Sequence, residues 1–99
     1  MIDYPNKNIL YQKAINNWGK ELQYGMLSEE VGELLSAINK YRRGRVDKKA
    51  VIEEIADVRI MLEQISFMLD ITDPSLHHTI QKKLDKMSKM TDELMEETK

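Results

Sequence analysis

Two short acidic segments contain the residues best suited to chemistry. They are residues 29–33, with the sequence EEVGE, and residues 53–57, with the sequence EEIAD. Each segment holds two acids three residues apart, a spacing that places both carboxylates on one face of a helix. The spaced acids are Glu30 with Glu33, and Glu54 with Asp57. If the two segments meet, mutual repulsion raises the pKa values of the four carboxylates unless a cation compensates.

A metal ion is the simplest compensating cation. Carboxylate oxygens suit hard cations, with Mg²⁺ first and Mn²⁺ or Ca²⁺ behind it, and they disfavour zinc. The chain contains no cysteine, so any metal must be held by oxygen or histidine, and disulfides and thiolate nucleophiles are excluded. The alternative is that both pairs lie on solvated helix faces, where acids at this spacing are common. Spacing alone leaves both interpretations open.

Apolar periodicity predicts four helices that would position these acids. The first covers roughly residues 7–18 and ends near Gly19, and the second covers roughly residues 20–43, with Gly44 as its C-cap. The third covers roughly residues 48–69 after Asp47 as N-cap. The last helix opens with Asp73 as N-cap and Pro74 at the first helical position. The acidic segments therefore fall on consecutive, antiparallel helices.

The helical register places the spaced acids at the border of apolar seams. At about 100° per residue, the seam on residues 20–43 and the seam on residues 48–69 each form one stripe. Glu30, Glu33, Glu54 and Asp57 lie at the edges of these stripes, whereas Glu29 and Glu53 project toward the rim. The predicted seam on residues 20–43 consists of Leu27, Val31, Leu34, Ile38 and Tyr41. The predicted seam on residues 48–69 consists of Val51, Ile55, Val58, Leu62, Ile65 and Leu69.

The composition predicts an all-α fold in one domain. The chain has 99 residues, with only two prolines and four glycines among strong helix formers. We expect a single domain over residues 1–99, folded as an antiparallel helical bundle. The apolar stripes are too extensive for a chain of this size to cover, so dimerisation should complete the bundle, and a tetramer is possible.

Charge and hydropathy limit the classes of partner. The formal net charge is −2 and the pI is about 5.7, which argues against a surface built for nucleic acid. The chain shows no apolar run long enough for a membrane span, and its N-terminus lacks the pattern of a signal peptide. We therefore expect a cytoplasmic protein with neither nucleic acid nor membrane as a partner.

The acidic segments resemble those of the all-α nucleoside triphosphate pyrophosphohydrolases, specifically the small MazG-like members. The family motif is EExxE followed one helix later by ExxD, here within SEEVGELLSAI and IEEIADVRIML. The string WGKELQ precedes the first motif, as in many such proteins. The resemblance covers about residues 11–69, and the last helix matches only in general character.

This resemblance implies an activity and a site. It implies hydrolysis of nucleoside triphosphates between the α and β phosphates, which gives the monophosphate and pyrophosphate and clears non-standard or surplus nucleotides. It makes the four spaced acids the Mg²⁺ ligands, with Glu30 also catalytic, and makes Glu29 a catalytic carboxylate that orients water. It also implies a homodimer, or in some members a tetramer.

Further residues could contact the substrate under this interpretation. Lys40 and Arg43, from the basic cluster of residues 40–45, could hold the β and γ phosphates, or could only place favourable charge at a helix C-terminus. Lys83 in the last helix is a rival, with Lys82 and Lys86 beside it. Trp18 could stack on the base or pack between helices, and Gln23 could contact the base edge or remain an exposed amide.

The competing hypothesis is a non-enzymatic, dimeric helical adaptor whose acids are surface charges and whose apolar seams bind a partner. The placement of the four acids at the core edge argues for the enzyme. A GxxxxGK[ST] phosphate loop is absent, which argues against an ATPase or kinase. His77 and His78 are expected at the surface, and the methionines are expected to fill bundle and dimer cores.

Overall fold

Three α-helices make up the computed structural model, which describes residues 4–98. They are α1 (Lys7–Arg42), α2 (Lys48–Met68) and α3 (Asp73–Glu97). No strand occurs within the described residues, which confirms the all-α prediction. The chain forms two compact units, a hairpin of α1 and α2 that ends at Asp70, and a second unit from Ile71 that contains α3. Residues 1–3 and 99 of the predicted domain lie outside this description.

Gly19 breaks α1 into the two helices that the sequence predicts. Its φ of 78° and ψ of 161° are not helical, and glycine reaches them because it has no Cβ. On a straight helix, Tyr11 and Gln23 would lie about 18 Å apart along the axis. Their side chains nevertheless bond to adjacent α2 residues, Glu63 and Gln64. The break therefore redirects the first segment onto the same end of α2.

The two helices of the hairpin are antiparallel. Gln23 pairs with Gln64 near one end, Glu33 lies close to Glu54 farther along, and Ala37 and Ala50 line a common pocket beyond them. Residue numbers thus rise along α1 as they fall along α2. This register brings the two acidic segments to the same level of the hairpin.

Local capping fixes the turn that joins α1 to α2. Gly44 has a φ of 71°, its N–H donates to the Tyr41 carbonyl at 3.0 Å, and the Arg45 N–H donates to the Lys40 carbonyl at 2.9 Å. This is a Schellman motif in which Arg43 is the C-cap and Gly44 is the left-handed residue that follows it, so the prediction that Gly44 ends this helix is confirmed. Asp47 is the N-cap of α2, and its side chain accepts from the Ala50 N–H at 3.4 Å. The short loop and the helix ends on either side of it are therefore set by the local sequence.

The prediction for the start of α3 is wrong by one residue. Thr72, rather than Asp73, is the N-cap, because its hydroxyl oxygen accepts from the Ser75 N–H at 3.3 Å. Asp73 and Pro74 then occupy the first turn, where an acid and a proline are both favoured.

The helices pack through a face that overlaps the predicted seams only in part: Val58 is buried as predicted, and four other members are half-buried, namely Leu27, Leu34, Val51 and Ile65. Several members of the predicted seams remain exposed: Val31, Ile38, Tyr41, Ile55, Leu62 and Leu69. The buried positions of the facing surfaces are Gln23, Ala37, Val58, Met61, Gln64 and Met68. A face that carries glutamines can be buried because Gln64 donates to Gln23 across the interface, and the most apolar stripes are left outside.

No described residue of α3 is buried. His77 and His78 are exposed, as predicted. Met61 and Met68 fill the core of the hairpin, as predicted, whereas Met87 and Met90 on α3 are exposed in the single chain, so their place in a dimer core stays a prediction. Across residues 4–98, the helices lack a stretch both long and apolar enough to pass through a bilayer.

Candidate metal centre

Three carboxylates converge where α1 and α2 face each other. Glu30 and Glu33 of α1 and Glu54 of α2 each place one oxygen within 4.8 Å of the other two. The three-residue spacing aligns the first two on one face of α1, and the antiparallel register brings Glu54 opposite them. The hairpin thus joins three of the four acids that the sequence predicts to act together.

The fourth acid, Asp57, lies beside this group rather than within it. Asp57 is exposed, and its oxygens are not part of the close three-carboxylate group. Its charge nevertheless acts on Glu30 and on Glu54, which places it at the edge of the same centre.

Burial and like charge raise the pKa of two of these acids. Burial contributes most to the raised pKa of Glu30, followed by repulsion from Glu33, Asp57 and Glu54. The pKa of Glu54 is raised for the same reasons, with burial first and then repulsion from Glu33 and Asp57. The centre is therefore electrostatically unfavourable when all its acids are ionised, and a bound cation would relieve it.

The donor set fits a hard divalent cation. One oxygen of Glu30 and one of Glu54, Oε2 in each, are buried without a hydrogen-bond partner. An unpaired buried carboxylate oxygen is costly unless a cation compensates. Two oxygens bound to one Mg²⁺ lie at most about 4.2 Å apart, because each sits about 2.1 Å from the ion. The three carboxylate oxygens lie within 4.8 Å of one another, a limit slightly above this span, and the ligands are all oxygen.

A pocket of about 250 Å³ opens beside the carboxylates. Glu33, Glu54 and Lys40 all line this pocket, so Lys40 places a positive charge next to the acids, as a phosphate-binding residue would require. The pocket is completed by Ser36, Ala37, Val46, Ala50 and Glu53.

Ser36, Val46 and Glu53 are pocket residues that sequence reasoning missed. Glu53 was expected at the rim, away from the site, yet it lines the pocket beside Glu54. Ser36 follows Glu33 by three residues, so helical spacing extended by one turn would have found it. Val46 belongs to the turn, and no signal in the sequence indicated that the turn would close the pocket.

The remaining predicted site residues lie outside that pocket. Glu29 is exposed on α1, and Arg43 is exposed at its C-cap. Lys83 is exposed on α3, in the second unit. The roles predicted for these three residues stay predictions.

The exposed position predicted for the Gln23 amide and the packing between helices predicted for Trp18 are both wrong in the single chain. Gln23 is not an exposed amide: it is 1% exposed, and its oxygen accepts from Gln64 Nε2 at 2.6 Å. Trp18 is not packed between helices in the single chain, because it is 56% exposed. Trp18 immediately precedes the break at Gly19, where α1 changes direction, and Gln23 follows that break and faces α2.

A second polar group, which the sequence did not reveal, ties the first segment of α1 to α2. Glu63 is buried, its Oε1 lies 2.7 Å from Lys7 Nζ, and the same oxygen accepts from the Tyr11 hydroxyl at 3.3 Å. The Tyr11 ring also contacts the Phe67 ring, with centroids 6.0 Å apart. Burial, and then the neighbouring Glu63 charge, raise the pKa of Tyr11 to about 12.

Comparison with known protein families identifies a family for this chain. The family model described as the MazG nucleotide pyrophosphohydrolase domain matches residues 19–95. The match begins at the break in α1 and continues through both acidic segments into α3. Neither a curated protein nor a solved structure matches the chain significantly.

Proposed function

The chain belongs to the MazG nucleotide pyrophosphohydrolase family, and from that premise we propose that it is a Mg²⁺-dependent nucleoside triphosphate pyrophosphohydrolase. It cleaves an NTP or dNTP between the α and β phosphates to give the monophosphate and pyrophosphate. The observation that carries the proposal is the convergence of Glu30, Glu33 and Glu54 within 4.8 Å, beside a pocket that also contains Lys40.

The metal is held by Glu30, Glu33 and Glu54, with Asp57 as the fourth acid. Mg²⁺ is the expected ion and Mn²⁺ a substitute, because the ligands are carboxylates without nitrogen or sulfur. When bound, such an ion neutralises phosphate charge and lowers the pKa of an attacking water. The buried, unpaired oxygens of Glu30 and Glu54 support this assignment, because they have no other partner.

The reaction needs a water positioned in line with the pyrophosphate leaving group. The water oxygen forms a bond to the α-phosphorus as the bond from that phosphorus to the bridging oxygen breaks. Glu29 orients this water, and Glu30 contributes both as a ligand and as a catalytic carboxylate. Because water is the nucleophile, no serine, cysteine or histidine nucleophile is required, and the two departing phosphates leave together as pyrophosphate.

Basic and aromatic side chains hold the rest of the substrate. Lys40 is the best-supported phosphate contact, because it lines the pocket with two of the acids. Arg43 is a further phosphate contact in the proposal, and Lys83 is a rival for the same role. The exposure of Trp18 supports stacking on the base, whereas the burial of Gln23 makes it the weaker of the two proposed base contacts.

The working assembly is a homodimer or tetramer. Val31, Ile38, Ile55 and Leu62 form apolar surface on the hairpin that a second copy would cover. We place the activity in cytoplasmic clearance of nucleotides, with neither nucleic acid nor membrane as a partner. The family match runs from residue 19, at the break in α1, through α2 to residue 95 in α3, and we take residues 1–99 as one catalytic domain on this ground.

A panel of canonical and modified NTPs and dNTPs, assayed with Mg²⁺ for pyrophosphate release, tests the proposal. Glu54→Gln removes one charge from the centre at nearly constant shape and should abolish turnover and Mn²⁺ binding. Glu21→Gln, at an exposed position of α1, is the matched control and should behave as the parent.

A second pair of variants tests the pocket. Lys40→Ala should raise KM for the triphosphate more than Arg43→Ala does, because only Lys40 lines the pocket with the acids. Retention of Mn²⁺ binding by Glu54→Gln would contradict the ligand assignment. Absence of turnover on every substrate, with metal present and the oligomer intact, would favour the adaptor.

A further inference from the structure

The pocket beside the carboxylates extends from the metal centre toward the turn that joins α1 to α2. Its lining runs along α1 from Glu33 to Lys40 and ends at Val46 of the turn. On α2 it runs back from Glu54 to Ala50. In the opposite direction along the hairpin, toward Gly19, the facing surfaces are filled by buried side chains, namely Gln23, Val58, Met61 and Gln64. The space beside the centre thus lies on the side of the turn.

The chemistry of this pocket suits phosphate better than a nucleoside. None of the residues that the structure describes around it is aromatic, so it offers no ring for a base to stack on. It contains Lys40, and the first turn of α2, at the positive end of that helix dipole, borders it through Ala50. Its volume of about 250 Å³ is below the roughly 300–1,000 Å³ of pockets that enclose a drug-sized ligand, so it takes one part of a nucleotide rather than all of it.

Ser36 lines this pocket with a hydroxyl that has no partner in the described part of the chain. Hydroxyls within helices commonly donate to the carbonyl four residues earlier, as those of Ser66 and Thr79 do. Within residues 4–98, the side chain of Ser36 makes no hydrogen bond of this or any other kind. Its hydroxyl is therefore available to donate to a molecule in the pocket.

The spacing of the residues along α1 follows the length of a triphosphate. Glu33, Ser36 and Lys40 lie on one face of the helix, because they are separated by three and four residues. Ser36 lies about 4.5 Å along the axis from Glu33, and Lys40 lies about 6 Å farther, with a side chain that tilts back toward Ser36. A triphosphate spans roughly one helical turn from its first phosphorus to its third. A chain whose α-phosphate lies at the carboxylates thus has its other two phosphates beside Ser36 and Lys40.

We propose that this pocket is the subsite for the β and γ phosphates, that the Ser36 hydroxyl donates to them, and that the nucleoside lies on the opposite side of the carboxylates, toward Trp18. This subsite rests on the proposed function, whose reaction releases these two phosphates as pyrophosphate. It fixes the direction in which the substrate lies along the hairpin. Because the pocket holds both departing phosphates, a nucleoside diphosphate makes fewer contacts there and binds more weakly than a triphosphate.

Anion binding in this pocket depends on the metal. Three acids line it together with one lysine, so its lining carries more negative than positive charge; the acids are Glu33, Glu53 and Glu54. These acids repel pyrophosphate alone, whereas a divalent cation beside them reverses the sign of the local charge. Binding of pyrophosphate should therefore require Mg²⁺ or Mn²⁺, a dependence that a purely basic surface patch would not show.

Titration calorimetry of the full-length protein with pyrophosphate, in the presence of Mn²⁺, tests the subsite without turnover. Ser36→Ala should weaken pyrophosphate binding by roughly tenfold, because a hydrogen bond to a charged group is lost, and should leave binding of Mn²⁺ alone unchanged. Ser36→Thr keeps the hydroxyl and should bind pyrophosphate as the parent does. Ser28→Ala removes a hydroxyl from another exposed position of α1 and is the matched control.

Titration with a deoxynucleoside monophosphate under the same conditions tests the direction of the substrate. Ser36→Ala should leave binding of the monophosphate unchanged. Trp18→Ala should weaken binding of the monophosphate and leave binding of pyrophosphate unchanged. The opposite pattern, in which Ser36→Ala weakens the monophosphate and Trp18→Ala weakens pyrophosphate, would contradict the proposed direction.

Two results would overturn the subsite alone. Equal pyrophosphate binding by Ser36→Ala and the parent would exclude Ser36 from it, and pyrophosphate binding of equal strength without Mn²⁺ would locate the anion elsewhere. Either result, obtained with a parent protein that hydrolyses nucleotides, leaves the proposed activity standing. Absence of turnover by the parent on every nucleotide would instead overturn the proposed activity, and the subsite with it.

Discussion

Tyr11 should make the stability of the fold fall in alkaline solution. It is 5% exposed, and its hydroxyl donates to the buried Glu63 carboxylate at 3.3 Å. Burial contributes most to its pKa of about 12, compared with an ordinary value of 10.0, and the Glu63 charge adds to the effect. The folded protein therefore holds the Tyr11 proton more tightly than the unfolded chain does.

The size of the effect follows from this difference in pKa. Below the ordinary value of 10.0, Tyr11 is protonated in both states and its contribution to stability is complete. Between about pH 10 and 12 the unfolded chain ionises while the folded protein keeps its proton, so the free energy of unfolding falls as pH rises. Two pKa units correspond to about 2.7 kcal/mol.

Urea unfolding of the parent and of Tyr11→Phe, at pH values from 9 upward, isolates this contribution. Lysine titration affects both proteins, so the difference between their curves reports Tyr11. Tyr11→Phe loses the bond to Glu63 and should be less stable at pH 9, but the gap should narrow as pH approaches 12. Tyr41→Phe, at an exposed position, is the control and should follow the parent. A gap between Tyr11→Phe and the parent that stays constant across the pH range would refute the reasoning.

Three further predictions concern the backbone, the buried amides and the acids. In chemical denaturation, Gly19→Ala should destabilise the fold by about 1–3 kcal/mol, because the φ of 78° and ψ of 161° at this position suit only glycine. Gly25→Ala, inside the helix and with open space around it, is the control and should not destabilise the fold. Gln64→Met should lower the free energy of unfolding by about 1–3 kcal/mol, because it leaves the buried Gln23 without its hydrogen-bond partner. In a double-mutant cycle, adding Gln23→Met should recover part of this loss, and strictly additive effects would contradict the pairing. Glu30→Gln should raise the melting temperature without metal and remove the stabilisation that Mg²⁺ gives the parent; an unchanged Mg²⁺ response would exclude Glu30 as a ligand.

Local signals predicted the helices well. Gly44 and Asp47 act at the turn through bonds that involve only nearby residues, so their types and positions were sufficient. Gly19 was likewise identified as the end of a helical segment. The break at Gly19 also lets the first segment of α1 bind Glu63 through Lys7 and Tyr11. These are long-range contacts, which no local sequence pattern contains.

The choice of packing face could not be read from apolar periodicity. Periodicity selected Val31 and Ile55, which are exposed, because it ranks stripes by apolar content. The hairpin instead buries Gln23 and Gln64, whose mutual hydrogen bond satisfies part of their polarity. Such pairing depends on the register between two helices, and the apolar pattern along a single helix does not contain that register.

Residue spacing along each helix is sufficient to locate the four acids, but it does not predict which three of them lie closest together. Three-residue spacing on each helix was enough to select all four, and the structure brings Glu30, Glu33 and Glu54 together. Asp57 remains exposed at the edge of the centre, although its charge raises the pKa values of Glu30 and Glu54. The pocket beside them includes Val46 from the turn, which periodicity could not assign to a face.

Hydrolysis of a dNTP in ¹⁸O-labelled water, with Mg²⁺ present, tests the central claim most directly. Attack at the α-phosphorus should place the label in the deoxynucleoside monophosphate and leave the released pyrophosphate unlabelled. Glu54→Gln should give neither product, while Glu21→Gln should give both at the parent rate. Label in the pyrophosphate, or release of orthophosphate with a nucleoside diphosphate, would contradict the proposed reaction at the carboxylate centre.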